Sequence, residues 1–96
     1  MKNNRWELVG KIGVDAGLCW IGDPCYCVTP DVDEHPAKTW QEFCNLLGGQ
    51  DVKQFNYRAG HPGLGVCVRT GGDGWFPVFV KRNAHGEIAE VNVKFE

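Results

Sequence analysis

Three aspartates lie in turn-like segments of the chain, where their carboxylates could meet a ligand. Asp15 lies in the string VDAG, Asp23 in GDPC and Asp73 in GGDG. Turns at strand ends are where a β scaffold usually displays its binding groups, and carboxylate oxygens suit a hard cation or a donor on a partner. An aspartate in such a turn also accepts hydrogen bonds from its own backbone. The residues alone leave both interpretations open.

Trp75 directly follows the turn that contains Asp73. A tryptophan at a loop end can anchor a ligand or a partner, because it offers a large apolar surface and one N–H donor. Core packing is the alternative. We expect at least two of the three aspartates to cluster at one end of a sheet, with Trp75 close by. The predicted ligand- or partner-binding residues are therefore Asp15, Asp23, Asp73 and Trp75.

The segment LCWIGDPCYCV, residues 18–28, contains three of the five cysteines. A zinc site usually takes paired ligands with spacings such as C-x2-C. This chain has one C-x-C, at Cys25 and Cys27, whose side chains would point to the same side of a strand. An odd number of cysteines argues against a disulfide framework. We predict reduced, metal-free and mainly structural thiols, buried or half-buried, and no cofactor; a zinc-stabilised interaction domain is an alternative.

The strings VDAG, GDPCY and TGGDGWFPVFV, with the final strand, resemble a pattern of small bacterial and bacteriophage proteins of unknown function. That pattern reads approximately V-D-S-G, D-P-C-Y and T-G-x-G-D-G-x-Y-P-V-Y-V. Here Ala16 replaces the serine, and Phe76 and Phe79 replace the two tyrosines. The resemblance implies that the three aspartate loops belong to one signature. A phage setting would favour a host-directed role, such as binding a host protein or sequestering a small signal molecule.

Hydrophobic periodicity predicts the strands that must position these residues. From Trp6 to Trp20 apolar residues occupy alternate positions, which predicts two strands that meet near residues 15–17. The string WFPVFVKR is apolar on both sides of a strand, which predicts a central strand covered on both faces, although Pro77 argues for an edge or a bulge. NAHG then predicts a short turn before a final strand with one wet face.

One helix is predicted over residues 39–47, after a loop over residues 29–38. Thr39 can cap this helix, with Glu42 three residues further on. The next residues have helical periodicity, and Gly48 supplies a stop. The stripe predicted to be buried consists of Trp40, Phe43, Cys44 and Leu47.

These elements predict an α+β fold that is mainly β: a small antiparallel sandwich or partly open barrel of five to seven strands with one helix. A chain of 96 residues is long enough for one hydrophobic core, so a single domain over residues 1–96 is expected.

Bulk properties narrow the classes of function. The net charge of −2 makes binding to nucleic acid unexpected. No stretch approaches the ~18 apolar residues of a membrane span, and the N-terminal residues lack the pattern of a secretory signal, so a cytoplasmic location without membrane contact is expected. No histidine lies in a recognisable catalytic string, and no catalytic residue is assigned. The leading hypothesis is a small non-catalytic binding module for a protein or a small ligand; the alternative is a metal-dependent hydrolase that uses the loop aspartates.

Overall fold

The computed structural model of the chain describes residues 5–30 and 34–96. These residues form six strands and two helices: β1 (Glu7–Val14), β2 (Leu18–Gly22), α1 (Cys25–Val28), α2 (Trp40–Leu47), β3 (Val52–Phe55), β4 (Gly65–Arg69), β5 (Gly74–Arg82) and β6 (Ile88–Val93). The strands make two three-stranded antiparallel sheets, and neither closes into a barrel within these ranges. The predicted mainly β, α+β fold of five to seven strands is confirmed, with a second, one-turn helix in addition to the predicted one.

The chain divides into two compact units. The first consists of the residues up to Gly17 together with Thr70–Glu96, and the second consists of Leu18–Arg69. The second unit is therefore one continuous segment that interrupts the first. The expectation of a single domain over residues 1–96 stays a prediction. Neither helix of the described residues is long and apolar enough to cross a membrane.

The first unit contains the sheet with the strand order β1-β5-β6. Val14 at the end of β1 pairs with Gly74 at the start of β5. A register irregularity between Leu8 and Gly10 bends the ladder further along β1. Gly86, in the predicted turn between β5 and β6, has a φ of 82°. This conformation favours glycine because it lacks a Cβ atom.

β5 is the central strand of this sheet even though it contains Pro77. Proline has no N–H to donate to the ladder, but the Pro77 carbonyl still accepts a hydrogen bond from the Lys94 N–H at 3.3 Å. Val80, on one face of β5, is buried, whereas Trp75, on the other face, is 70% exposed. The central position of the strand is confirmed. The expectation that both of its faces are covered is wrong.

The second unit packs α2 residues against the sheet with the order β2-β4-β3. Leu47, Phe55 and Cys67 are its fully buried centre. Phe43 stacks on Phe55 with 4.6 Å between ring centroids, and Trp20 meets Phe55 edge-on at 5.5 Å. This cluster supplies the hydrophobic contact that holds the helix to the sheet.

The helix α2 begins and ends where the local sequence predicts. The Thr39 hydroxyl accepts a hydrogen bond from the Glu42 N–H at 3.1 Å, and the Glu42 carboxylate accepts one from the Lys38 N–H at 2.6 Å. These contacts satisfy backbone donors that a helix N-terminus leaves unpaired. At the other end the Gly48 N–H donates to the Cys44 carbonyl at 3.0 Å.

The prediction that Trp40 is buried is wrong, because this side chain is 59% exposed. Phe43 explains the difference. One face of its ring stacks on Phe55, and the Trp40 ring also stacks on Phe43, with 5.4 Å between centroids and 8° between planes. Trp40 is therefore the outer member of a three-ring stack, and its remaining surface faces solvent.

The segment containing Cys25 and Cys27 is a helical turn, α1, and not a strand. The Asp23 carboxylate accepts a hydrogen bond from the Cys25 N–H at 2.9 Å, which favours the helical turn over an extended chain. At 3.6 residues per turn, side chains two positions apart point to different sides. Both thiols are exposed, so the prediction of buried or half-buried thiols is wrong for these two. Residues 31–33 of the predicted 29–38 loop lie outside the described residues.

Candidate functional site

Asp15, Asp73 and Trp75 lie at the same end of the β1-β5-β6 sheet. Asp15 follows Val14, the last residue of β1, and Asp73 precedes Gly74, the first residue of β5. Val14 and Gly74 are ladder partners. A carboxylate oxygen of Asp73 lies 3.9 Å from the position that a Cβ atom on Gly17 would take. Asp15 and Trp75 line one surface depression of about 380 Å³. Two of the three predicted aspartates are thus at one sheet end with the predicted tryptophan.

Asp23 has a different setting, in the second unit. Its carboxylate accepts a hydrogen bond from the Cys25 N–H two residues further on, just before the Pro24 N-cap of α1, which is the local turn role that its sequence also allowed. Whether any of the four predicted residues binds a ligand stays a prediction.

Within residues 5–30 and 34–96, no group of three or more His, Cys, Asp or Glu side chains is placed so that it could hold a metal ion. Of the five thiols, Cys19 and Cys67 are buried, Cys44 is half-buried and none is in a disulfide. Burial raises the pKa of the Cys19 and Cys67 thiols, so both are protonated and weakly nucleophilic at neutral pH.

Trp75 owes its position to a missing side chain on the neighbouring strand. Its ladder partner is Gly13, and a Cβ atom there would lie 2.9 Å from the nearest atom of the indole ring. The ring therefore lies against the β1 backbone while most of its surface stays exposed. The Lys11 ammonium is 5.4 Å from the ring centroid, which is within the range of a cation–π contact.

Trp75 belongs to one side of the sheet, which we call the open face. Ladder partners in an antiparallel sheet share a face, and so do residues two apart on a strand. The register places the following residues on or beside this face: Trp6, Leu8, Lys11 and Gly13 from the β1 region, Trp75, Pro77, Phe79 and Lys81 from β5, and Glu90, Asn92 and Lys94 from the β6 region.

The middle of the open face is a shallow apolar groove of about 510 Å³. It extends from Trp75 and Pro77 to Leu8 and Val9, at the irregularity of β1. Leu8 is 64% exposed and Val9 is 50% exposed. Single exposed apolar residues are normal, but contiguous ones with an aromatic ring are a frequent property of binding surfaces.

Each aromatic ring of the open face has a lysine above it. Besides Lys11 at Trp75, the Lys81 ammonium lies 4.5 Å from the Trp6 ring and the Lys94 ammonium lies 6.0 Å from the Phe79 ring. Glu90 is the ladder partner of Lys81 and partly offsets its charge. These charges leave the β5-β6 part of the face weakly basic, whereas Asp15 and Asp73 add negative charge where β1 ends and β5 begins.

A small cleft lies beside β6 at the basic end of the open face. Its lining consists of Trp6, Phe79, Asn92 and Lys94, and its volume is about 120 Å³. Among residues 5–30 and 34–96, the side-chain oxygen of Asn92 is shielded from solvent and has no hydrogen-bond partner. Buried polar atoms nearly always have a partner, so this oxygen is an exception within the described part of the chain.

A second apolar groove, of about 280 Å³, belongs to the second unit. Trp20, Tyr26, Cys27, Trp40 and Phe43 contribute to its lining. A hydrogen bond with Tyr57 raises the pKa of Tyr26 to about 12, so this phenol stays protonated at neutral pH. The surface of this groove is almost entirely apolar.

The motifs of the sequence indicated Trp75 but did not indicate Trp6, Phe79, Asn92 or the three lysines. The sequence feature that could have indicated the open face is the alternation of Trp75, Pro77, Phe79 and Lys81 along β5. Such an alternation has the same period on an exposed face of a strand as on a buried one. Comparison of this chain with protein-family models, with curated proteins and with solved structures finds no match.

Proposed function

We propose that this protein is a non-catalytic binding module that holds its ligand on the open face of the β1-β5-β6 sheet. The observation that carries the proposal is Trp75, whose ring is 70% exposed while it lies against Gly13. A large ring held by the backbone offers contact area that is already ordered, so little entropy is lost when a ligand packs on it.

The surroundings of Trp75 support a ligand that has both apolar and polar parts. Leu8 and Val9 extend the apolar surface. Asp15 offers carboxylate oxygens beside the ring, and Lys11 offers an ammonium donor above it. A few polar groups at the edge of an apolar surface are the usual composition of a small-molecule site.

The ligand is a small molecule or a segment of a partner protein. The resemblance of the aspartate strings to bacterial and bacteriophage proteins supports a host-directed role in the cytoplasm, in which binding alone withdraws the ligand from use. No residue is assigned a catalytic role in this proposal.

The test is ligand retention by the whole chain and by the variant Trp75→Ala. Each protein is immobilised, incubated with a bacterial small-molecule extract, washed and heated, and the released compounds are identified by mass spectrometry. We expect the wild-type chain to release a compound with its mass unchanged, and Trp75→Ala to release at least about tenfold less, since an anchoring aromatic residue is typically worth that much or more.

Trp40→Ala is the matched control, because Trp40 is also an exposed tryptophan but lies on α2 in the second unit. It should retain the compound as the wild type does. Equal retention by Trp75→Ala, or loss of retention in Trp40→Ala alone, would contradict the proposal. Release of a chemically converted compound would instead favour an enzyme.

A further inference from the structure

The strand β6 forms one edge of the β1-β5-β6 sheet. In the described part of the chain it has β5 on one side and no strand on the other. Ile88 and Val91 on this strand are 54% and 64% exposed. An edge strand with free N–H and C=O groups can pair with a further strand. The other edge, β1, is less suited to such pairing because of its register irregularity between Leu8 and Gly10.

The direction of the backbone groups of β6 follows from one hydrogen bond. The Lys94 N–H, just beyond the strand, donates to the Pro77 carbonyl of β5 at 3.3 Å. In an antiparallel ladder, residues two apart direct their N–H and C=O groups to the same side. The N–H of Asn92 therefore points toward β5, and those of Val91 and Val93 point away from it. A second strand at this edge would exchange hydrogen bonds with Val91 and Val93.

A second copy of β6 can meet these groups in an antiparallel arrangement. With a two-fold axis at Asn92, Val91 of each copy lies opposite Val93 of the other and exchanges hydrogen bonds with it. Glu90 of each copy lies opposite Lys94 of the other, and both of these side chains are exposed. The axis makes each of these pairs occur twice. Opposite charges directly across two strands stabilise a sheet.

The charges on β6 favour this register over its neighbours. An axis at Glu90 or at Lys94 would place two like charges opposite each other, which is unfavourable. An axis one residue to either side of Asn92 would place a charged residue opposite that neutral amide. An axis between two residues would place outward-pointing backbone groups opposite inward-pointing ones. Only the axis at Asn92 combines backbone pairing with complementary charge.

The other face of β6 is apolar in the same register. Val91 is the ladder partner of Val80, which is buried, although Val91 itself is 64% exposed. Pairing of two copies would place Val91 beside Val93 of the other copy and cover part of this surface. Ala89 would similarly lie beside Phe95 of the other copy. Cross-strand pairs of β-branched side chains add stability, so both faces of the strand favour the same partner.

We infer that two copies of this chain associate through β6 and join their three-stranded sheets into one antiparallel sheet. Glu90 would then lie between Lys81 of its own chain and Lys94 of the other copy. Each copy carries a net charge of only −2, so long-range repulsion between the copies is small. This association goes beyond the proposed binding of a ligand and does not depend on Trp75.

Sedimentation analysis of the whole chain measures the association. Pairing through one edge strand buries little surface, so we expect a weak dimer: the mean mass should rise from 10.7 kDa toward twice that value as the concentration increases to about 1 mM. Glu90→Lys and Lys94→Glu should each weaken the dimer about tenfold, because each places two like charges opposite each other on both sides of the axis.

An equimolar mixture of these two variants is the critical sample. In a mixed dimer every charged pair is again complementary, so the mixture should associate as the wild type does. This recovery requires contact between positions 90 and 94 of different copies, and a loss of stability in either variant would not produce it. Lys11→Glu is the matched control: Lys11 also lies over a ring of the open face but belongs to β1, so reversing its charge should leave the dimer unchanged.

Hydrogen exchange of the wild type gives a second measurement that needs no variant. The Val91 and Val93 amides should exchange several-fold more slowly as the dimer forms, whereas the exchange of the Asn92 amide, which is bonded to β5, should not change. Circular dichroism verifies that each variant is folded; if one is not, the exchange measurement decides.

Three results would overturn this inference: a monomer at about 1 mM, no recovery in the mixture of folded variants, or a dimer in which the Val91 amide exchanges as fast as in the monomer. Trp75→Ala should associate as the wild type does. Failure of the dimer and failure of the ligand-retention test are therefore distinguishable.

Discussion

Gly13 illustrates how one absent side chain makes room for the candidate site. A Cβ atom at this position would lie within 2.9 Å of the Trp75 ring, a distance that two non-bonded carbon atoms do not tolerate without displacement. Gly10, on the same strand, has no atom of the described residues within 4 Å of its own Cβ position. The two glycines look equivalent in the sequence, but only one of them is required by a neighbour.

Alanine at these two positions should therefore have opposite effects on stability. Gly10→Ala is expected to raise the free energy of unfolding by about 0.5–1 kcal/mol, because alanine has less freedom in the unfolded chain. Gly13→Ala is expected to lower it by about 1 kcal/mol, because the Trp75 ring must move. Urea unfolding of both variants measures the difference. Equal stabilisation by both substitutions would mean that the ring does not depend on Gly13.

The cysteines of residues 18–28 show what one local hydrogen bond can change. The alternation of Cys25 and Cys27 is compatible with a strand, and sequence periodicity alone favours that interpretation. The Asp23 carboxylate instead captures the Cys25 N–H and starts a helical turn. Asparagine and aspartate have this ability to compete with regular structure, which a count of apolar positions does not register.

At the scale of elements, α2 is the part that the sequence predicts best, because its ends depend on contacts within ten residues. Thr39, Glu42 and Gly48 act on their own neighbours in the chain. The exposure of Trp40 was not predictable in this way, since it depends on Phe43 lying between Trp40 and Phe55. The open face was missed for a similar reason: periodicity gives the two faces of β5, but not which of them is covered.

The Glu42 carboxylate makes the stability of α2 depend on pH. The Lys38 N–H and the Arg58 guanidinium, both at 2.6 Å, hold the pKa of Glu42 below its ordinary value. A lowered carboxyl pKa in the folded state stabilises the fold above the ordinary glutamate pKa, and this stabilisation is lost as pH falls through the folded-state value. Glu42→Gln should therefore lower the thermal midpoint at pH 7 more than at pH 3.

Thr39→Ala is the control for this pH dependence. The Thr39 hydroxyl caps the same helix through the Glu42 N–H, but it does not titrate in this range. Its removal should lower the midpoint by a similar amount at both pH values. Thermal unfolding followed by circular dichroism measures both variants, and a Glu42→Gln effect of equal size at pH 3 and pH 7 would contradict a role for the charge.

At the scale of the whole molecule, the net charge of −2 conceals an uneven distribution. Lys81 lies over Trp6 at one end of the open face and Lys94 lies over Phe79 beside the middle of β5, whereas Asp15 and Asp73 flank the other end of the same sheet. A total charge predicts solubility and long-range attraction. It does not predict a local site, because that depends on which strands become neighbours.

The second unit interrupts the first between Gly17 and Thr70. Val14 and Gly74, which pair at the end of β1 and β5, are about 60 residues apart in the chain. Leu18 and Arg69, at the two ends of the second unit, are themselves ladder partners. Once they have paired, the loop that β1 and β5 must close contains effectively about nine residues, which lowers the entropic cost of closure by about 1.7 kcal/mol.

In refolding, the second unit should therefore form first and lower the entropic cost of pairing β1 with β5. Phe55→Leu, which weakens the core of the second unit, should slow the formation of the β1-β5 ladder several-fold, although Phe55 is not part of that ladder. Pulse-labelled hydrogen exchange of the β1 and β5 amides measures this rate, and an unchanged rate would rule the mechanism out. β1 and β5, although distant in the sequence, would then pair at nearly the rate at which the two strands of a hairpin pair.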